Sequence, residues 1–448
     1  MTNKDLIDLK IPYQNILNRL NKEGFDAYLV GGAIRDYLLG REIFDIDIAT
    51  SARPSDIEKV FYDKKLISIG KKFGTIKVVD GQFIYEITTF RADGPYIDQR
   101  HPKEVHFSKS LREDLLRRDF TINAMALGKG GIIDPFSAGD DLKKKIIRAV
   151  GDPDIRIRED LLRSLRAVRF ACQLDFAIEK NLKVAIKKHA KAINQISKER
   201  IRDEISKILL TKNPSRGLRL LEELGLLEEI FPEVSIMVGF DQKSSHHHLD
   251  LFDHSLEVLD KLPRDLALRL AGLFHDTGKP LTMVIDENGE GRFFGHQNLS
   301  ADILEKRLRK LRFSNNLIKE AKTLVARHMD SANTYTKKSI RKLLRKLGEE
   351  GVLKLFDLQR ADTRSSKTPD LSNMDLGLRI LREIKEENIP IKTSNLPING
   401  HDLKALGLKE GPLIGKVLDL IGELIVEGKI ANDKKEILDF VTNKFGDH

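Results

Sequence analysis

Tryptophan is absent from the 448 residues, and one cysteine, Cys172, stands alone. A single thiol excludes an internal disulfide, and the missing CxxC pattern argues against a structural zinc site. That cysteine usage fits a reducing cytoplasm. No apolar run approaches the roughly 18 residues that span a bilayer, so no membrane partner is expected. The opening MTNKDLIDLK lacks a basic-then-apolar pattern, so no signal peptide is expected there. No internal repeat at a fixed period and no low-complexity linker is visible. Charge is plentiful: 32% of residues are Asp, Glu, Lys or Arg, against 40% hydrophobic, an ordinary globular balance. The net charge of +9 suggests a polyanionic partner. Aromatics are scarce at 6%, which suits contact with the backbone and shape of a folded RNA over the stacking of single-stranded bases. The length exceeds one core, so two to four domains are expected.

The stretch YLVGGAIRDYLLGREIFDIDIAT, residues 28–50, organises the rest. Tyr28 to Val30 form a short apolar strand, Gly31 and Gly32 a turn, and about Ala33 to Leu39 a helix. A second strand then carries Asp45 and Asp47. Residues two apart on a strand share a face, so these carboxylates project side by side, with Phe44, Ile46 and Ile48 facing the other way. Two carboxylates held that closely repel unless a divalent cation lies between them, and such a pair suits Mg²⁺ shared with substrate phosphates. Gly31 and Gly32 let backbone approach phosphate at a helix N-terminus, and Arg35 offers a fork-shaped donor one turn in.

GG-x-x-RD-x-LLG followed by D-x-D resembles the signature of the class II nucleotidyltransferases, the bacterial tRNA CCA-adding enzymes and their poly(A) polymerase relatives. The resemblance covers roughly residues 10–365 and adds expectations for further segments. Glu86, on the alternating strand FIYEITTFR with Thr88 and Phe90 on its face, would be a third carboxylate, because the matching E-x-TT-x-R strand borders the active site. RRDFTINAMA, residues 117–126, reads as a helix presenting Arg118, Asp119 and Asn123 on one polar face. In the family this segment contacts ribose and triphosphate. In REDLLRSLRAVRF, Asp160 and Arg163 stand at i and i+3 of a predicted helix after Glu159. The resemblance makes them a protein template for the incoming base. A carboxylate accepts from the amino group that C and A both carry, while a guanidinium donates to their ring acceptors; G and U leave the carboxylate facing an oxygen. Arg166 and Arg169 would reach phosphate. The polar loop 91–110 matches a family loop needed for terminal A addition and argues against a CC-only enzyme.

A second ligand set begins at His254. RLAGLFHDTGKP carries His275 and Asp276, an adjacent His-Asp after an apolar helix that resembles the HD-domain signature. His254 and Asp362 would complete a single-metal set, and His296 and His328 would allow a second ion. Ligand type leaves Mg²⁺, Mn²⁺, Ni²⁺ or Fe open, and HD domains imply phosphohydrolase chemistry or a metal-holding scaffold. His246 to His248 are weaker candidates.

The fold expected is α+β. A mixed α/β nucleotidyltransferase head on a small sheet (residues 1–150) precedes all-α domains: a base-selecting and RNA-binding domain (151–240), an HD domain (241–370) and a C-terminal helical tail (371–448). Helices are expected over about 1–24, 54–62 and 111–126, and strands over 66–70, 74–79, 83–90 and 129–135. Basic segments 187–202, 305–314 and 337–348 are candidate tRNA contacts. The function implied is cytoplasmic, template-independent tRNA nucleotidyl transfer of CCA, or its terminal A, from CTP and ATP with Mg²⁺. A poly(A) polymerase is the alternative, although GKKFGTIKV looks more like the CCA-adding group. A third reading is an HD phosphohydrolase whose N-terminal half only binds RNA.

Overall fold

The computed structural model describes residues 12–43, 45–68, 70–92, 106–244, 249–332, 334–386, 396–426 and 428–445. The chain divides into two compact units, residues 1–232 and 233–448.

In the first unit, helix α1 (Tyr13–Lys22) buries Tyr13, Ile16, Leu17 and Leu20 at helical spacing. Strand β1 (Ala27–Val30) leads through Gly31 into α2 (Gly32–Leu38), and β2 (Ile46–Thr50) follows. Next come α3 (Pro54–Val60), β3 (Lys65–Ile67), β4 (Thr75–Asp80) and β5 (Phe83–Thr89). Short strands β6 (Arg91–Ala92) and β7 (His106–Phe107) pair with each other, and then α4 (Leu111–Leu116), β8 (Ala126–Gly128) and β9 (Gly131–Ile133) complete the head. The sheet order is β3-β4-β5-β2-β1-β8-β9. Within this sheet, among the described residues, only β2 and β5 run parallel, with Asp47 opposite Glu86. The neighbouring registers extend that row to Val30, Asp47, Glu86 and Lys77 across four strands. Alternation then sends the adjacent row, Leu29, Ile48, Ile87 and Ile76, to the opposite face, where all four are buried. Sheet geometry thus gathers the carboxylates on one face and the core on the other.

The expected strands and helices in this region are found with shifted ends, but one segment differs in kind. The helix expected over 111–126 stops at Leu116, because Arg117 turns back onto the buried Asp114 at 2.7 Å. Phe120 is extended, Thr121–Asn123 form a 3₁₀ turn, and Ala126–Gly128 is a strand pairing with β1. Cross-strand pairing overrides the helical tendency of INAMAL there. Asp45 directly precedes β2 and is exposed; Phe44 lies outside the described residues, as do residues 1–11 of the expected first helix.

After α5 (Ala138–Lys144), helix α6 (Pro153–Glu159) opens on Asp152, whose carboxylate accepts from the amides of Asp154 and Ile155 at 2.8 and 3.0 Å. Helices α7 (Leu162–Leu174), α8 (Lys180–His189), α9 (Lys198–Leu209) and α10 (Pro214–Glu223) follow. Gly217 lets α10 close on α9, since a Cβ there would stand 2.3 Å from Cγ2 of Ile208.

The second unit is helical apart from a hairpin of Met283–Ile285 and Gly291–Phe293. Helices Leu251–Lys261, Leu266–Phe274, His296–Lys310, Asn315–Arg327 and Lys337–Arg364 pack together, the last broken at Gly348 (φ 69°). Helix Ser372–Glu386 packs on it through Gly377, where a Cβ would stand 2.9 Å from Phe356 and Tyr335. Helices Gly400–Ala405, Pro412–Val426 and Lys434–Phe445 share a separate apolar cluster around Leu403, Ile421 and Ile437. Among the described residues no helix is long and apolar enough to cross a membrane.

Ile208 is β-branched and stiff, so Gly217→Ala should lower stability by about 1–3 kcal/mol, read as a shifted denaturation midpoint. An unchanged midpoint would mean that the α9–α10 contact is looser than the distance implies.

Candidate functional site

One cavity of about 710 Å³ in the first unit is lined by Gly31, Gly32, Arg35, Asp45, Asp47, Glu86, Arg118, Asp119, Asn123, Asp160, Arg163, Arg166 and Arg169. Every residue singled out for the transferase chemistry therefore borders one space. Gly31 has φ of 76°, and a Cβ on it would stand 3.0 Å from Nη1 of Arg118 and 3.3 Å from Oδ2 of Asp47. Glycine is needed there twice, for backbone angle and for room. Burial pushes the Asp47 carboxyl up to about 6; the Arg118 charge opposes the rise, while Glu86 and Asp45 add to it. Glu86 is held from its other side by Lys77, the next residue along the row.

Arg118, Asp119 and Asn123 meet without sharing a helix. Asn123 donates to Oδ1 of Asp119 at 3.1 Å, and Arg35 Nη1 donates to Oδ1 of Asn123 at 2.6 Å. Nε of Arg166 donates to Asp119 at 2.7 Å. Burial alone would raise Asp119, but the Arg166 charge and the hydrogen bonds from Asn123 and Arg166 hold its carboxyl at about 2. The turn that ends α4 thus does what a helical face was expected to do.

Asp160 and Arg163 also depart from the expected helix. The helix breaks at Asp160 (φ −146°, ψ 100°), whose Oδ1 accepts from the Leu162 amide at 3.1 Å and starts α7. A short carboxylate competing for a backbone donor is the physical reason for the break. The two side chains are not paired with each other. Asp160 binds Arg200 at 2.9 Å, and Arg163 Nη1 binds Glu159 at 2.8 Å and the Arg156 carbonyl at 2.9 Å. Arg163 Nη2 donates to the Arg117 carbonyl at 3.0 Å, leaving its Nε–H and one Nη2–H for another acceptor. Arg169 is tied to Glu204 at 2.6 Å. The sequence reading missed Asp114, Arg117, Arg200 and Phe170, which line the same cavity. Asp114 orients Arg117 and Arg118 from a position indistinguishable in sequence from an ordinary helical acid. Residues 93–105 of the polar loop lie outside the described residues.

In the second unit two trios, His254–His275–Asp276 and Asp276–His296–His328, each have ligand atoms within 4.8 Å of one another and share Asp276. Asp362 joins them, 3.1 Å from Nε2 of His254 and 3.7 Å from Nε2 of His275. His275 and Asp276 sit in the turn just past the helix end at Phe274, not on the helix itself. Nδ1 of His275, His296 and His328 each meets the carbonyl three residues back, at 2.8, 2.8 and 2.7 Å. A carbonyl can only accept, so each Nδ1 carries a proton and each Nε2 faces inward, where it can offer a lone pair to a cation once it carries no proton. Two such nitrogens, of His296 and His328, face each other at 3.3 Å. Among these residues burial opposes charge on His275, yet Asp276 and Asp362 raise it; both carboxyls are held well below the usual range. The donor set therefore fits a cation. His246 to His248 lie outside the described residues.

A carboxylate row and several arginines bordering one cavity are groups that a nucleotidyltransferase needs to hold a nucleotide's phosphates and its metal. The family model described as poly A polymerase head domain matches residues 27–148, that for the probable RNA and SrmB-binding site of polymerase A matches 175–237, and that for tRNA nucleotidyltransferase domain 2 matches 293–441. The chain is 34% identical over 439 residues to the CCA-adding enzyme of Ligilactobacillus salivarius, covering 95% of this chain and 94% of that one. It is 35% identical over 439 residues to that of Geobacillus stearothermophilus, with 96% of each covered. The crystal structure of the Bacillus stearothermophilus CCA-adding enzyme in complex with CTP superposes with a TM-score of 0.73 at 31% identity, over 97% of both chains. The chain belongs to the CCA-adding enzyme family.

Because Asp47 keeps its proton below about pH 6, a divalent cation must displace that proton there but not at pH 8. Calorimetry in buffers of different ionisation heat should show release of roughly one proton on Mg²⁺ addition at pH 5 and close to none at pH 8. Release that does not vary with pH would contradict the raised value.

Proposed function

We propose that this chain extends the 3′ end of tRNA with the residues of CCA, from CTP and ATP and without a nucleic-acid template, releasing pyrophosphate in the cytoplasm. The observation that carries this reading is the meeting of Asp45, Asp47 and Glu86 with the arginines and with Asp160 and Arg163 in one cavity. Hard oxygen donors, one of them raised to about 6 chiefly by burial, fit Mg²⁺. When bound by Asp45 and Asp47, with Glu86 beside them, such a cation supplies Lewis-acid activation of the 3′-hydroxyl and neutralises the leaving pyrophosphate. The chain's own groups do the rest. The Gly31–Gly32 backbone and Arg35, Arg118 and Arg166 hold the triphosphate, and Asp119 with Asn123 meets the ribose. Asp160 retains lone pairs beyond those used by Arg200 and Leu162, so it accepts from the amino group common to cytosine and adenine. The two remaining donors of Arg163 meet ring acceptors.

Three truncated tRNAs, ending before the first C, after C and after CC, incubated with labelled CTP or ATP, test the reading. Ordered incorporation of C, C and A is expected, with Asp45→Ala and Asp47→Ala each losing at least about 10³-fold in rate. Incorporation of ATP alone on every substrate would make the enzyme a poly(A) polymerase. Full activity of Asp45→Ala would leave the first unit as an RNA-binding module.

A second proposal rests on the three inward-facing Nε2 nitrogens around Asp276, 3.2, 3.2 and 3.7 Å from its carboxylate. His254, His275, Asp276, Asp362, His296 and His328 form an HD-type centre holding one or two divalent ions among Mg²⁺, Mn²⁺, Ni²⁺ and Fe, with metal-dependent phosphohydrolase activity. Elemental analysis of the purified protein should find bound metal that His275→Ala loses, together with hydrolysis of bis(p-nitrophenyl) phosphate, while CTP incorporation persists. Metal content that the substitution leaves unchanged would reject the centre.

A further inference from the structure

Three guanidiniums that reach the transferase cavity from two helices converge on one ring. The guanidinium carbons of Arg35, Arg166 and Arg169 stand 5.1, 5.5 and 4.1 Å from the centroid of Phe170. Phe170 is 6% exposed and lines the cavity with all three. Its ring is braced edge-on by Phe120, at 5.8 Å and 84° between planes.

Three like charges around one side chain should drive one another apart, and each arginine is restrained on two sides. Arg35 is held by Asp36 at 2.7 Å, Arg166 by Asp119 at 2.7 Å and Arg169 by Glu204 at 2.6 Å. Those carboxylates hold each guanidinium from one side only and do not order the three relative to one another. The ring supplies the second restraint, because its negative faces attract cations and its rigid, braced plane fixes where they stand. Arginine rotamers are otherwise numerous, and each one frozen before binding is one that the ligand need not freeze.

We infer that Phe170 is a positioning residue for the nucleotide's phosphates: its ring holds Arg35, Arg166 and Arg169 as a preformed cationic wall. The inference rests on the nucleotidyltransferase reading of this cavity. The wall meets what CTP and ATP share and leaves the choice between them to Asp160 and Arg163. Loss of the ring therefore weakens both nucleotides by the same factor, and weakens a bare polyphosphate equally.

Calorimetric titration of the full-length protein with CTP, ATP and inorganic tripolyphosphate tests this, with melting temperature recorded for each variant. Phe170→Leu, which keeps apolar bulk without a π face, should raise all three dissociation constants together, by about tenfold. Phe170→Tyr keeps the ring and should recover most of the affinity. Phe170→Met serves as a second ring-less variant should the leucine form misfold. Unchanged tripolyphosphate affinity in a folded ring-less variant overturns the inference. So does a tyrosine variant as weak as the leucine one, since that would be a packing effect, and so does a loss confined to one of CTP and ATP. Failure of the wild-type protein to bind either nucleotide would instead overturn the proposed function, and the tripolyphosphate comparison would still decide the role of Phe170.

Discussion

Crowded negative charge at one end of a parallel strand pair is the constraint around which the head is built. Asp47 and Glu86 are register partners on β2 and β5, and paired strands lie about 4.8 Å apart. Two unit charges at about 5 Å repel by about 3 kcal/mol at an effective dielectric of 20, and Asp45 adds to that at the strand's entry. The protein relieves only part of this. Lys77 takes up Glu86 in the same cross-strand row, and Arg118 reaches Asp47 over a glycine. Burial, with a smaller addition from Glu86 and Asp45, keeps Asp47 raised to about 6 even so, and a site that disfavours bare negative charge suits an oxygen-loving divalent cation.

The cationic side of the cavity is assembled on the opposite principle, with each arginine tethered to a carboxylate. Asp114 serves Arg117 and Arg118, Glu159 serves Arg163, Asp119 serves Arg166, Glu204 serves Arg169, and Asp160 serves Arg200. Such half-buried pairs add little net stability, because desolvation offsets most of the attraction. They do fix direction. A polyphosphate entering the cavity meets donors already aimed, with little reorganisation left to perform. The same tethering gives Asp160 and Arg163 independent orientations, as the proposed reading of different edges of one base requires.

The second unit solves a comparable problem with imidazole. Its ligand candidates come from five stretches of chain separated by up to about a hundred residues, and backbone carbonyls one turn back dictate which nitrogen faces inward. For His275, His296 and His328 this tethering is local, to a carbonyl three residues back. Packing brings their Nε2 nitrogens together, with Lys279 meeting Asp276 at 2.7 Å as the nearest fixed positive charge.

Much of this was legible in the chain. The D-x-D pair, whose first Asp lies just ahead of its strand, the glycine pair, the E-x-TT-x-R strand and the adjacent His-Asp carry their chemistry within a few residues, where short-range geometry suffices. The helix predicted in REDLLRSLRAVRF likewise became α7. The helix read through 117–126 was an error of another kind: its local sequence favours a helix, but Ala126–Gly128 gains more by joining β1. Asp160 looked like one member of a helical face and instead ends one helix and starts the next. Phe170 carried no signal as a partner of arginines, and Arg200 only that of a basic segment, because each meets its partner from a position distant in sequence. Local pattern determines which groups a segment can offer, since it depends on dihedral preference and spacing alone. Which of those groups meet, and which arginine belongs to which carboxylate, is decided by strand register and helix packing, where contact free energy outweighs local preference.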